Sequence, residues 1–212
     1  MKVLTIPVGM TGANCHIIVS DENSCAVIDP GAQPEKIIGE IKALGATPKY
    51  ILLTHGHFDH IGGVKRLMAE YPDAVLHIGE KDIEMLADTQ KSYAYFRSND
   101  INDYVIEDAV GLSDGQSLPL GGLTVTVMET PGHTLGGVVY FCLDAMFSGD
   151  TIFAQDVGRT DLYGGNFDTL KGSLLKLAAM DGDYALYPGH GGSSTLERER
   201  RSNPYLSADT AR

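Results

Sequence analysis

Tryptophan is absent from the 212 residues, cysteine occurs only three times, and 16 basic side chains face 28 acidic ones. Each shortage excludes something. Cys15, Cys25 and Cys142 are odd in number and widely spaced, so neither a disulfide framework nor a Cys-x-x-Cys zinc site is expected. All three lie in apolar runs and read as small buried hydrophobes. A net charge of −12 lacks the basic patch of a nucleic-acid binder. The one basic cluster, Arg198, Arg200 and Arg201, alternates with Glu197 and Glu199 and reads as a solvated helix face. No apolar run approaches the roughly 20 residues of a membrane span. Residues 1–7 carry no signal-peptide core. A cytoplasmic protein with neither membrane nor nucleic-acid partner is expected, as a monomer or small homo-oligomer.

What is present is an ordered series of strands and helices. Val3–Val8, Asn14–Val19 and Ser24–Ile28 read as strands, and Pro34–Leu44 has the apolar spacing of a helix, stopped by Gly45. Tyr50–Thr54 is a short continuous apolar run, as in a strand buried on both faces. A helix from Ile61 to about Glu70, a strand at Ala74–Ile78 and a helix at Glu80–Leu86 follow. Periodicity then fails from about residue 88 to 107, where Tyr93, Tyr95, Phe96, Arg97 and Tyr104 sit among polar residues, a pattern that suits a functional lid. Strands at Leu123–Met128, Val138–Cys142, Ala145–Ser148 and Tyr184–Tyr187 make up the second half. They are joined by helices at Phe167–Met180 and Ser194–Arg201. Strand groups followed by helices, twice, predict two sheets packed face to face with helices outside, in one domain spanning 1–212.

The chemistry gathers where strands end. After Thr54 comes His55-Gly56-His57-Phe58-Asp59-His60, with Gly62-Gly63 behind it. His55 and His57, two apart in extended chain, leave one face, while Asp59 and His60 enter a helix and point around the turn. Three imidazoles and a carboxylate in six residues are too many for one tetrahedral ion and suit two. Pro131-Gly132-His133, Gly149-Asp150-Thr151 and Pro188-Gly189-His190 each follow a strand and supply three more donors. Nitrogen and oxygen donors suit zinc, iron or manganese. His16 and His77 lie inside strand patterns without a partner motif and read as structural.

In this order the motifs resemble those of the metallo-β-lactamase superfamily over nearly the whole chain, including Asn14-Cys15 and Ile28-Asp29-Pro30-Gly31. The resemblance implies an α+β fold, a four-layer αββα sandwich with the metals at one edge of the paired sheets. It assigns His55, His57 and His133 to a first ion, Asp59, His60 and His190 to a second, and Asp150 to a bridge. Two divalent ions are implied, zinc first, with iron or manganese as options. Asp150 stands where the best-known β-lactamases carry cysteine, which disfavours antibiotic hydrolysis. His57 stands where flavodiiron proteins carry glutamate, and the basic extension of tRNA-processing nucleases is missing.

Ser148–Phe153 and Gly158–Asn166 are similar to the glyoxalase II group, above all its short members, as is the ending Ser193–Tyr205. Full-length glyoxalase II adds a helical domain that contacts glutathione, whereas about 22 residues follow His190 here, so a different thiol carrier is open. The implied reaction is hydrolysis of a small-molecule thioester such as S-lactoylglutathione. A metal-bridging water with pKa lowered toward about 7 would attack, with Asp59 and Asp150 catalytic and Arg159 and Tyr163 as substrate contacts. Persulfide dioxygenases, which share the Gly-Arg-Thr-Asp stretch and use one iron, are the alternative.

Overall fold

The computed structural model describes residues 1–97 and 100–206. The first half supplies β1 (Lys2–Val8), β2 (Ala13–Val19), β3 (Ser24–Ile28), α1 (Pro34–Ala43), β4 (Thr47–Leu53), α2 (Phe58–Ile61), α3 (Val64–Glu70), β5 (Val75–Gly79), α4 (Ile83–Ala87) and β6 (Val110–Leu112). Its six strands lie side by side in chain order. The first three pair antiparallel and β3 to β6 pair parallel.

The second half supplies β7 (Ser117–Leu120), β8 (Leu123–Glu129), β9 (Val138–Cys142), β10 (Ala145–Gly149), β11 (Ile152–Phe153), β12 (Asp156–Val157), α5 (Phe167–Ala178), β13 (Ala185–Pro188), β14 (Ser194–Thr195) and α6 (Leu196–Ser202). These form a second six-stranded sheet, ordered β14-β13-β10-β9-β8-β7, and a small β11–β12 ribbon.

Strand alternation builds the layers. In β4, Tyr50 and Leu52 face the second sheet, while Ile51 and Leu53 face the helices of the first half. In β9, Val138, Tyr140 and Cys142 face inward, while Val139 and Phe141 pack under Leu170, Leu174 and Leu177 of α5. The Tyr140 hydroxyl ties the two sheets by donating to the Leu53 carbonyl at 2.7 Å. Helices, sheet, sheet and helices therefore stack as the four-layer αββα sandwich. The three cysteines are buried and unpaired, and burial lifts the Cys25 thiol to about 12.

Local sequence explains most boundaries. Pro34 opens α1, whose Ile37, Ile38 and Ile41 are buried, and Gly45 at φ 62° follows its end. Where one helix from Ile61 to Glu70 is expected, two short ones occur. Gly63 donates its N–H to the Pro30 carbonyl at 2.6 Å, and a Cβ there would meet that oxygen at 2.6 Å. The chain is pinned against the turn after β3 and the helix is interrupted.

The expected helix at Glu80–Leu86 opens as a 3-10 turn (Glu80–Asp82) before α4. Residues 88–107 hold two 3-10 turns, Ala94–Phe96 and Ile101–Tyr104, and residues 98 and 99 of that stretch lie outside the described residues. The final helix starts at Leu196, capped by Thr195, because Ser194 and Thr195 pair with β13.

The solvated reading of that helix is half right. Arg201 pairs with Glu197 at the surface, but Glu199 is buried and accepts from Ser194, Gln155 and Asn203. Arg200 donates to the carbonyls of Ala178, Met180 and Gly182, satisfying the end of α5. No helix among the described residues is long and apolar enough to cross a membrane.

Candidate metal centre

All seven predicted ligands converge at one edge of the sandwich. The turn after β4 brings His55 and His57, and α2 opens immediately, presenting Asp59 and His60. His133 comes from the loop after β8, Asp150 from the end of β10 and His190 from the end of β13. A register irregularity in the β10–β13 pairing between Phe147 and Gly149 precedes Asp150 and turns it toward the cluster. A Cβ at Gly189 would lie 2.2 Å from Asp150 Oδ1, so the next strand end closes on the carboxylate only because residue 189 has no side chain.

Among the described residues, three sets of ligand atoms each lie within 4.8 Å of one another. His55, His57 and His133 form one group, Asp59, His60 and His190 a second, and the set Asp29, His55 and His60 links the two. His57 Nδ1 and His133 Nε2 are 2.9 Å apart, and His60 Nε2 and His190 Nε2 are 3.3 Å apart. A tetrahedral ion with Zn–N of about 2.0–2.1 Å separates its nitrogens by roughly 3.3 Å, so both spacings suit a shared ion. Asp150 stands between the groups: Oδ2 lies 3.6 Å from His133 Nε2 and 3.6 Å from His190 Nε2, and Oδ1 lies 3.5 Å from His60 Nε2.

Hydrogen bonds on the far side of the rings fix the tautomers. His133 Nδ1 donates to the Arg159 carbonyl at 2.7 Å, and His60 Nδ1 donates to Asp29 Oδ2 at 3.0 Å. Thr54 Oγ1 donates to Asp29 at 2.6 Å and is thereby left to accept from His55 Nδ1 at 3.0 Å. In its neutral form each of these imidazoles keeps a lone pair at Nε2, aimed inward, as a metal ligand requires. His55 Nε2 and Asp150 Oδ1 are buried with no hydrogen-bond partner among the described residues. Buried polar atoms are rarely left so. The donor set and these orphaned atoms fit divalent ions held by the seven side chains.

Electrostatics agree with that fit. Burial, then the neighbouring imidazoles, hold His55 and His57 well below the ordinary histidine range, in the neutral form that binds metal. Burial also opposes charge on His60, but Asp150, Asp29 and Asp59 outweigh it and lift that ring to about 10. In the metal-free protein His60 therefore carries the proton that an ion would displace.

Three acceptors and donors around the site carry no motif of their own. Asp29, fully buried, holds Thr54 and His60. Asp82 accepts from Gly56 N–H, the Thr134 hydroxyl and Gly136 N–H, tying the two loops of the first group. Asn14 bonds the loop of His190. Asn14 and the Asp29-Pro30-Gly31 turn drew notice in the sequence only as parts of the family pattern, without a role, and Asp82 drew none.

The two candidate substrate contacts already have partners. Arg159 forms a bidentate pair with Asp161, which holds that carboxyl at about 2, and its side chain is 60% exposed. Tyr163 donates to Glu84 at 2.6 Å, with Lys91 over its ring. His16, whose ring nitrogens meet Thr5 Oγ1 and the Pro188 carbonyl, and His77 fall in no group of candidate ligands among the described residues. Burial lowers both, His16 to about 4.

Residues 8–190 match the model of the metallo-β-lactamase superfamily. The chain belongs to that superfamily. Hydroxyacylglutathione hydrolase GloC of Haemophilus influenzae is 34% identical over 211 residues, covering 98% of this chain and 99% of its own. Among solved structures, BLEG-1 B3 metallo-β-lactamase superposes with a TM-score of 0.87 at 30% identity, over 98% of this chain and 100% of that one. TTHA1623 in a di-iron-bound form gives 0.84 at 30% identity, over 96% and 100%.

Proposed function

We propose that this member of the superfamily is a two-metal hydrolase acting on small-molecule thioesters. The observation that carries the two-ion reading is Asp150, whose carboxylate lies 3.6 Å from a histidine of each donor group. His55, His57 and His133 would hold one ion and Asp59, His60 and His190 the other, with the Asp150 carboxylate within reach of both groups. Zinc suits these donors, as do iron and manganese. The bound ions supply a Lewis acid for the carbonyl and a water whose pKa falls toward about 7.

The chain's own residues do the rest. Asp59, whose Oδ2 lies 3.5 Å from His190 Nε2, is mostly covered, with its side chain 16% exposed, and can orient the attacking water through a hydrogen bond. Asp29, Asp82 and the Arg159 carbonyl keep ligand rings and loops in place, so little reorganisation accompanies the reaction. A thiolate leaves without a strong general acid. Arg159 and Tyr163 contact the thiol carrier, Arg159 by exchanging Asp161 for a carboxylate of the substrate. The 34% identity to a hydroxyacylglutathione hydrolase supports the thioester reading, and glutathione or another thiol remains the carrier to be identified.

The test is a comparison of substrates on metal-loaded protein. S-lactoylglutathione and simple acyl thioesters should be cleaved, and Asp150→Ala should lose both metal and activity. Turnover of a chromogenic cephalosporin instead would move the substrate class to β-lactams. Oxygen uptake with glutathione persulfide and about one iron per chain would establish the dioxygenase in its place.

A further inference from the structure

Beside the ligands, one strand of the first sheet grips a loop of the second. Asn14, on β2 and buried, donates its side-chain amide to two carbonyls at once, Pro188 at 3.0 Å and Gly191 at 2.9 Å. Its backbone N–H donates to the Gly189 carbonyl at 2.7 Å, and Ala13 pairs with His190 as an isolated antiparallel bridge. Two residues along, His16 Nε2 donates to the same Pro188 carbonyl at 3.1 Å, its own Nδ1 accepting from Thr5 Oγ1 at 3.0 Å. The turn 188–191 is thus bracketed on both sides of His190.

His190 needs such a bracket more than the other ligands do. His55, His60 and His133 are aimed by a hydrogen bond at the second ring nitrogen. His57 and His190 have none there among the described residues, but His57 is buried, whereas the His190 side chain is the most exposed of the histidine ligands, at 27%. Its direction comes from its backbone alone. The backbone, in turn, is held by the Gly189 N–H bond to the Gly149 carbonyl, by the bonds from β2 and His16, and by the Asn14 amide. Among the described residues Asn14 is the one side chain that joins both ends of the turn, across sequence separations of 174 and 177 residues.

We infer that Asn14 is a positioning residue for His190 and sets the affinity of the second metal position independently of the first. The first group is fastened by Thr54, Asp82 and the Arg159 carbonyl, none of which touches Asn14. Removing the amide loosens the 188–191 turn, leaving it to backbone bonds and His16, while His55, His57 and His133 keep every bond they have. Loss of a side chain that orients a ligand costs roughly 10- to 100-fold in metal affinity. That loss falls on one ion of the two.

This inference rests on the two-ion reading, and the experiment separates the two. Metal-free full-length protein is titrated with zinc against a chromophoric chelator, and the melting temperature of each metal-free variant is recorded. Wild type taking up a single equivalent sinks the two-ion reading itself. With two equivalents in wild type, Asn14→Ala should bind the first within about twofold of wild type and the second roughly 10- to 100-fold more weakly. Asn14→Ser, whose hydroxyl ends one bond short of both carbonyls but keeps a polar group in the buried site, should weaken the second equivalent likewise and serves if the alanine variant does not fold. Equal weakening of both equivalents alongside a lowered melting temperature makes Asn14 a general structural residue and overturns the inference. Unchanged binding of the second equivalent overturns it as well.

Discussion

Replacing Asp29 by asparagine exchanges one oxygen of a buried side chain for an NH2 group, and the hydrogen-bond directions around it dictate the result. The carboxylate accepts from Thr54 N–H at 2.8 Å, from Thr54 Oγ1 at 2.6 Å and from His60 Nδ1 at 3.0 Å. The backbone N–H can only donate, so the amide oxygen of the introduced asparagine must face it. The NH2 group then faces Thr54 Oγ1 and His60 Nδ1, which must become acceptors. For His60 this moves the ring proton to Nε2, the atom 3.3 Å from His190 Nε2 and 3.5 Å from Asp150. Thr54, now accepting from the new amide, turns its own proton toward His55 Nδ1 and drives that ring to the same wrong tautomer.

One substitution thereby spoils a donor in each group. At roughly 10- to 100-fold per disturbed ligand, both zinc equivalents weaken, unlike the one-sided effect expected at Asn14. The fold should survive. Bonds to a charged group, about 1.5–3 kcal/mol each, give way to neutral ones of about 0.5–1.5 kcal/mol. Over the three bonds the loss is about 3–4 kcal/mol, which lowers the melting temperature by roughly 6–16 °C at this size. Zinc titration with nitrogen-15 NMR of the imidazoles reads both affinity and tautomer. Wild-type zinc affinity in a folded Asp29→Asn protein, or His60 still protonated at Nδ1 alone in the zinc-loaded form, would refute the reasoning.

Two further outcomes are expected from the same geometry. In metal-free protein His60 titrates near 10, above its unfolded value of about 6.5, so its contribution to stability is fully present below about pH 6.5 and lost as pH rises toward 10. Denaturant titrations of the metal-free protein across that window should show the decline, and a His60→Gln variant should lack that part of it. Tyr140→Phe removes the hydroxyl that binds Leu53 across the sheets and strands a buried carbonyl, costing about 1–3 kcal/mol by chemical denaturation, with zinc stoichiometry unchanged.

The metal ligands were legible because coordination demands particular side chains and strand ends present them in short motifs. His55-Gly56-His57-Phe58-Asp59-His60 carries four of the seven within one turn. The residues that hold those ligands were not legible. Asp82 reaches Gly136 across 54 positions and Asn14 reaches Gly191 across 177, and no local pattern marks such partners. The long strands and α1 and α5 follow from periodicity, whereas β11, β12 and β14, two residues each, are too short to show any. β7 carries Pro119, which suits its place at the sheet edge but weakens its strand signal. Arg200 and Glu199 looked like a surface pattern because helical spacing cannot reveal the carbonyls and loop that a neighbouring element brings to them.

The ligand set is divided between the halves of the chain: four donors precede residue 61, and three come after residue 132. Either half alone offers fragments of a site, and ions meet a complete cage only once the two sheets have docked. Metal capture is then a late event in folding, and it acts as a clasp on the finished sandwich. An ion present at a hundred times its dissociation constant adds about 2.7 kcal/mol to the folded state and nothing to a half-assembled one. The supply of metal around the protein would accordingly govern how long each molecule resists unfolding and proteolysis, as well as whether it turns over substrate.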